Sequence, residues 1–181
     1  RDPEMSRGLG DVYKRQYPVS AMSCHVSACP NHQTERTIPF HTRGAISSLG
    51  ATGYELDLST LTDDEKKAVK EQIASYKKIQ PLILDGDLYR LSSPFETNLF
   101  CEMLVSKDKS RAYVVGERLR AEPNGYRKDE FIRLFGLDES KEYRIEELNI
   151  TASGSVLSRF GVPLPRLGEY ESFVWHIREE L

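Results

Sequence analysis

The chain has 181 residues, with 25 Lys+Arg, 28 Asp+Glu and a formal net charge of −3. That length allows one domain or two small ones with a real hydrophobic core, so neither disulfides nor metals are required for folding. The weakly acidic balance argues against an electrostatic nucleic-acid binder, and no apolar run approaches the length of a membrane span. Three cysteines are an odd count that excludes a full disulfide framework and fits a reducing compartment.

Residues Arg1–Gln16 (RDPEMSRGLGDVYKRQ) show neither strand alternation nor a helical face, and they lack the apolar segment of a signal peptide. The stretch reads as a translated adapter or assembly artefact; the alternative is a genuine polar extension. Tyr17-Pro18-Val19 reads as the end of a strand. Ser20–Thr37, rich in Ser, Cys, His, Asn and Pro, reads as a loop. Pro39–Leu49 fits a short helix, Gly50–Gly53 a break, and Tyr54–Leu58 alternates as a strand does.

The clearest helix follows. Thr62 and Glu65 form a T-x-x-E capping box, and Asp63, Asp64 and Glu65 suit the positive end of the helix dipole. Val69, Ile73 and Tyr76 recur at helical spacing, and Pro81 predicts a stop soon after Lys78. Beyond it, Leu82–Leu84, Leu88–Leu91, Leu99–Val105, Ala112–Leu119, Phe131–Phe135, Tyr143–Ile145 and Phe173–Ile177 read as short strands. Asp85-Gly86-Asp87, Ser92-Ser93-Pro94, Lys107-Asp108-Lys109, Pro123-Asn124-Gly125 and Leu137-Asp138-Glu139 supply turn signals between them. Short strands with frequent turns predict an antiparallel sandwich, and the natural boundary falls near Lys78–Pro81. Arg159–Pro165 reads as loop.

Several residue clusters could carry chemistry. Cys24, His25, Cys29, His32 and His41 are zinc-ligand types, but their spacing lacks a second close ligand pair. The plainer reading is a loop with two small buried cysteines and hydrogen-bonded histidines. A nucleophilic Cys24 or Cys29 would need a base beside it, which sequence proximity to His25 or His32 does not establish. Glu55 and Asp57, two apart on the expected strand, would share a face and could divide acid and base work; a solvated strand face is the alternative. Asn149-Ile150-Thr151 is a glycosylation sequon, expected to be idle without a secretory signal. No phosphate-binding glycine loop is present. The aromatics Tyr89, Phe95, Tyr113, Phe131, Phe135, Tyr143, Phe173 and Trp175 read as core more readily than as a sugar-stacking platform.

Longer strings add a resemblance. Tyr17–Thr34 (YPVSAMSCHVSACPNHQT), Gly53–Leu58 (GYELDL) with the capped helix behind it, and Asp87–Phe95 (DLYRLSSPF) together resemble glycoside hydrolase family 36, the bacterial α-galactosidases. Val105–Lys109, Arg118–Pro123 and Leu137–Ile145 continue the likeness in order. The resemblance implies an α/β plus all-β chain: the last two βα units of a (β/α)8 barrel over residues 17–79, then a C-terminal antiparallel β-sandwich over 80–181. A whole barrel takes about 250 residues, so most of it would lie outside this chain.

The resemblance also implies a retaining enzyme that hydrolyses terminal α-galactosides of the melibiose and raffinose type, cytoplasmic, without cofactor or metal, and homo-oligomeric (a tetramer) as the intact parent. Both catalytic carboxylates are expected upstream, so no catalytic residue is assigned here and the fragment alone is expected to be inactive. His25, Asn31 and His32 are candidates for the rim of the substrate site or for bracing it; a purely structural role is the alternative. The family usually has glycine where Glu35 stands, a position that would permit positive φ or close backbone approach. Ile38 and His41 also depart from the usual residues. The competing functional readings are a non-catalytic carbohydrate-binding or accessory β-sandwich and a small zinc domain around Cys24–His41.

Overall fold

The computed structural model describes residues 17–121 and 130–180. The leader Arg1–Gln16 and the turn signal Pro123-Asn124-Gly125 lie outside the described residues.

The expected strand end at Tyr17–Val19 is instead the entry to a single 3-10 turn. Pro18, held at φ −56, precedes Val19–Ala21, and its carbonyl accepts from the Ala21 N–H at 3.0 Å. The strand comes later, as β1 (Ser23–Ser27), inside the segment read as loop. Helix α1 (Phe40–Ser47) then leads to β2 (Ala51–Glu55), which runs parallel to β1 in the register Ser23↔Ala51 to Ser27↔Glu55. Parallel neighbours need such a crossover. Alternation puts Cys24, Val26, Thr52 and Tyr54 on one face. That face meets the helices: Val26 is fully buried, and the Thr52 hydroxyl donates to Ser47 Oγ at 3.0 Å. The opposite face carries Ser23, His25, Ser27, Ala51, Gly53 and Glu55.

Helix α2 (Asp63–Asp85) starts where the sequence says it should. Thr62 Oγ1 accepts from the Glu65 N–H at 3.2 Å, and the Glu65 carboxylate accepts from the Thr62 N–H at 2.9 Å. The expected stop is wrong. Pro81 lies inside the helix, and Leu82–Leu84 are its last turn rather than a strand. An interior proline costs about 3 kcal/mol. Ile79, Leu82 and Ile83 are all nearly inaccessible, and each such burial returns about 1.5–3 kcal/mol, so packing outweighs the local penalty.

Six strands form one antiparallel sheet. They are β3 (Asp87–Ser92), β4 (Leu99–Val105), β5 (Arg111–Arg118), β7 (Glu142–Ile145), β8 (Ile150–Ser153) and β10 (Glu171–Glu179), in the order β3-β4-β5-β10-β7-β8. A short pair, β6 (Phe131–Ile132) with β9 (Val162–Pro163), lies with helix α3 (Gly154–Arg159) beside the sheet. β8, α3 and β9 have no counterpart in the sequence reading, being too short to show periodicity.

The sheet is buried on both faces at its centre. One face supplies Leu99, Cys101, Met103, Val105, Val114, Phe173, Trp175 and Ile177 to a core shared with Ile132, Leu134, Tyr143, Ile145, Leu157 and Val162. Mid-strand Gly116 makes room there, since a Cβ would fall 2.3 Å from the Phe173 ring. The other face supplies Leu104, Tyr113 and Val115 to a second core with Val19, Leu49, Ile79, Leu82 and Ile83. The helices of the first part therefore form the cover of the sheet. Of the aromatics expected in the core, Tyr113, Tyr143, Phe173 and Trp175 are buried, whereas Phe95, Phe131 and Phe135 are exposed. Phe95 sits beyond the end of β3, and Phe131 lies on a two-residue strand at the margin of the described residues.

Candidate functional site

In parallel α/β sheets, ligand sites lie beyond the carboxyl ends of the strands. In this chain those ends are Ser27 and Glu55, followed by loops over residues 28–39 and 56–62. The first loop begins with a cis Cys29–Pro30 bond and is organised by Asn31. Its Oδ1 accepts from the Gln33 N–H, the Thr34 N–H and the Thr34 hydroxyl at 3.0–3.1 Å, an Asx turn. The Asn31 N–H donates to Arg36 O at 2.9 Å, and the Glu35 N–H donates to Asn31 O at 2.8 Å. Closing that ring places Glu35 at φ 55. This is the backbone region glycine enters without steric cost.

Arg43, on α1, ties the loop to the strand end. Its Nε donates to Ile38 O at 3.2 Å and its Nη1 to Ser27 O at 2.5 Å. The loop also reaches the second part of the chain: the Arg36 guanidinium lies 5.9 Å from the centre of the Tyr170 ring, within cation–π range. The Thr42 hydroxyl donates to Tyr170 O at 2.9 Å. Sequence reasoning missed Arg43, Thr42 and Tyr170. Their partners are mostly backbone carbonyls or distant in sequence, so no motif announces them.

The three candidate rim residues separate into different roles. Asn31 is consumed in holding the turn. His32 is exposed at its tip. His25 is not on the loop but in mid-strand on the open face of the β1–β2 pair. Its Nε2 lies 3.0 Å from Ser23 Oγ, and its Nδ1 lies 3.6 Å from Glu55 Oε2. Glu55 and Asp57 do not share a strand face. β2 ends at Glu55, and Asp57 caps a 3-10 turn (Leu58–Thr60), accepting from the Ser59 N–H at 2.8 Å and the Ser59 hydroxyl at 2.7 Å. Those bonds hold the Asp57 carboxyl below its usual range, the mark of a stable anion rather than an acid catalyst.

The potential zinc ligands do not converge. Cys24 and His25 are adjacent on a strand and so point to opposite faces. Cys29 Sγ lies 3.8 Å from Ile38 O, and His41 is exposed on α1. Among the described residues no group of three or more His, Cys, Asp or Glu side chains is placed to hold a metal ion. No helix among the described residues is long and apolar enough to cross a membrane.

Comparison with known proteins carries the strand-end geometry to a family. The Melibiase profile matches residues 12–86, and the profile of the glycosyl hydrolase family 36 C-terminal domain matches residues 100–177. The chain belongs to glycoside hydrolase family 36. Alpha-galactosidase AgaA of Geobacillus stearothermophilus is 44% identical over 163 residues, covering 90% of this chain and 22% of that protein. The bifunctional alpha-galactosidase/sucrose kinase AgaSK of Mediterraneibacter gnavus is 43% identical over 164 residues, covering 90% and 17%. Among solved structures, the galactosidase domain of AgaSK superposes with a TM-score of 0.86 at 43% identity, over 91% of this chain and 23% of that one. An AgaA variant in complex with raffinose gives the same values. The chain thus spans about a fifth of the length of the family 36 relatives it matches.

Proposed function

We infer that this chain is part of a cytoplasmic retaining α-galactosidase that releases terminal galactose from melibiose- and raffinose-type oligosaccharides. Residues 17–79 supply two βα units of a (β/α)8 catalytic barrel, and residues 80–181 supply the β-sandwich behind it. The observation that carries the reading is the parallel β1–α1–β2–α2 run, aligned over 91% of the chain with a family 36 structure solved with raffinose. In this arrangement the open face of β1 and β2 looks into the barrel, and the loop ordered by Asn31 stands at its mouth. The nucleophile and the acid/base carboxylate, about 5–5.5 Å apart in retaining enzymes, lie outside this chain. No carboxylate pair at the strand ends has the environment to replace them: Glu55 faces His25, and Asp57 is locked in its cap. The roles left to His25, Asn31 and His32 are to shape and brace the rim.

The test is a fusion in which residues 17–180 replace the matching segment of Geobacillus AgaA. The fusion is expected to hydrolyse p-nitrophenyl α-galactoside and raffinose, while the chain alone shows no turnover. A folded but inactive fusion, or turnover by the chain alone that is lost in Glu55→Gln, would overturn the reading. Calorimetric titration of the chain with galactose and raffinose separates it from a stand-alone carbohydrate-binding module, for which saturable binding is required.

A further inference from the structure

We propose that Tyr170, in the turn before β10, is a positioning residue for the substrate rim. From the antiparallel sheet it holds the Asn31 loop in the shape that receives the sugars beyond a terminal galactose. The proposal rests on the barrel reading above and adds to it a determinant of oligosaccharide specificity. Three contacts carry it. The Tyr170 N–H donates to Arg118 O at 2.8 Å, which fixes the residue to the end of β5. The Tyr170 carbonyl accepts from the Thr42 hydroxyl at 2.9 Å. Thr42 is buried, so this bond joins the turn to α1 away from water. The Tyr170 ring lies 5.9 Å from the Arg36 guanidinium, and Arg36 supplies the carbonyl that accepts from the Asn31 N–H at 2.9 Å. The ring thus meets the residue that closes the loop.

The backbone of Tyr170 singles out its side chain. It stands at φ 55, a region that strains a bulky residue and that glycine enters freely. Glycine would make both backbone hydrogen bonds equally well. What tyrosine adds is the ring. Strain of this kind persists where the surroundings over-determine it, and it gathers at functional sites. The consequence follows from the topology. Terminal galactose must reach carboxylates inside the barrel, so the remainder of an oligosaccharide lies at the mouth, beside the loop whose exposed tip is His32. Arg43 fixes the two ends of that loop, at Ser27 O and Ile38 O. Its middle is held by the bonds of Asn31 and, through Arg36, by Tyr170. Without the ring the ends stay in place and the middle loosens. A substrate that extends to the rim is then held less well, while the chemical step, carried out elsewhere, is untouched.

The experiment uses the fusion with Geobacillus AgaA and, in parallel, the full chain alone. Tyr170→Gly relieves the backbone and removes the ring; Tyr170→Phe keeps the ring. A cation–π contact at an exposed site corresponds to about a two- to fivefold change in an equilibrium. In the fusion, Tyr170→Gly is therefore expected to raise KM for raffinose by about two- to fivefold at unchanged kcat. KM for p-nitrophenyl α-galactoside, which has no sugar beyond the galactose, is expected to stay the same. In the chain alone the variant is expected to speed hydrogen exchange at the Asn31 and Glu35 amides by a similar factor, at an unchanged melting temperature. Tyr170→Phe is expected to match wild type throughout. Arg36 is exposed, so Arg36→Met tests the contact even where Tyr170→Gly does not fold; it is expected to reproduce the same KM shift, with no further loss in the double variant. An unchanged KM for raffinose, an equal rise for both substrates, or a Tyr170→Phe that behaves as Tyr170→Gly overturns the proposal. An active wild-type fusion with no KM shift in the variants rejects Tyr170 alone, whereas an inactive wild-type fusion rejects the barrel reading and the proposal with it.

Discussion

The two sheets of this molecule treat their faces in opposite ways. The six-stranded antiparallel sheet has covered faces at its centre, where β4, β5 and β10 place alternate residues into two separate cores. Among the described residues the two-stranded parallel pair has one face covered by helices and one exposed face, and the exposed face holds the histidine and glutamate that the sequence singled out. Burial on two faces makes the first sheet the source of stability. Exposure on one face makes the second the place where side chains remain free to meet something else.

Substitutions break that comparison in order of size. Trp175→Ala and Leu104→Ala remove fully buried groups from the two sides of the large sheet; each is expected to cost about 3–5 kcal/mol in denaturant unfolding. A loss at Leu104 as large as that at Trp175 establishes that the helices are an integral layer of the fold; a negligible loss at Leu104 would separate the two parts.

Glu117 sharpens the same boundary through pH. It is nearly buried on β5, and desolvation raises its carboxyl from 4.5 to about 7. The folded state then holds a proton that the unfolded state has lost, so stability is full below the ordinary carboxylate value and falls as pH rises towards about 7. With allowance for solvent screening the fall is about 1–2 kcal/mol. Glu117→Gln is expected to flatten the unfolding free energy between pH 5 and 7, measured by urea titration at each pH; an unchanged slope would remove Glu117 as its source.

Thr62→Ala deletes the capping box of α2 and is expected to cost about 1 kcal/mol, seen as a lower urea midpoint at unchanged slope. His25→Ala, on the open face, is expected to stay within about 0.5 kcal/mol of wild type. A large loss there would show that the Ser23–His25–Glu55 contacts hold the strands together rather than wait on their exposed side.

The capped start of α2, the exact span of β4 and the antiparallel character of the second half were legible because local chemistry decides them. The same holds for Glu35: the likeness to the family pointed to a glycine position, and the turn closed by Asn31 does put that residue at positive φ. Three readings failed for a common reason. Pro81 should have ended α2 and Phe131 should have been buried on local preference alone, and β1 was hidden in a segment whose composition reads as loop. In each case the outcome depends on which surface a neighbour covers. The zinc-type cluster was legible as a cluster, but strand alternation sends Cys24 and His25 to opposite faces.

By itself the sequence determined the order of parts, the helix cap, most strand positions and, through the strings around Tyr17–Thr34, the family. Those features depend on short-range backbone preferences and on residue identity, both written along the chain. Only the tertiary structure decided that α2 runs through Pro81 as a layer of the sheet, and that Asn31 serves its own turn while His25 lies beside Glu55 on β1 and β2. These outcomes rest on contacts between residues distant in sequence, such as Ser48 with Tyr113 and Thr42 with Tyr170, whose burial and bonding exist only once the chain has closed on itself.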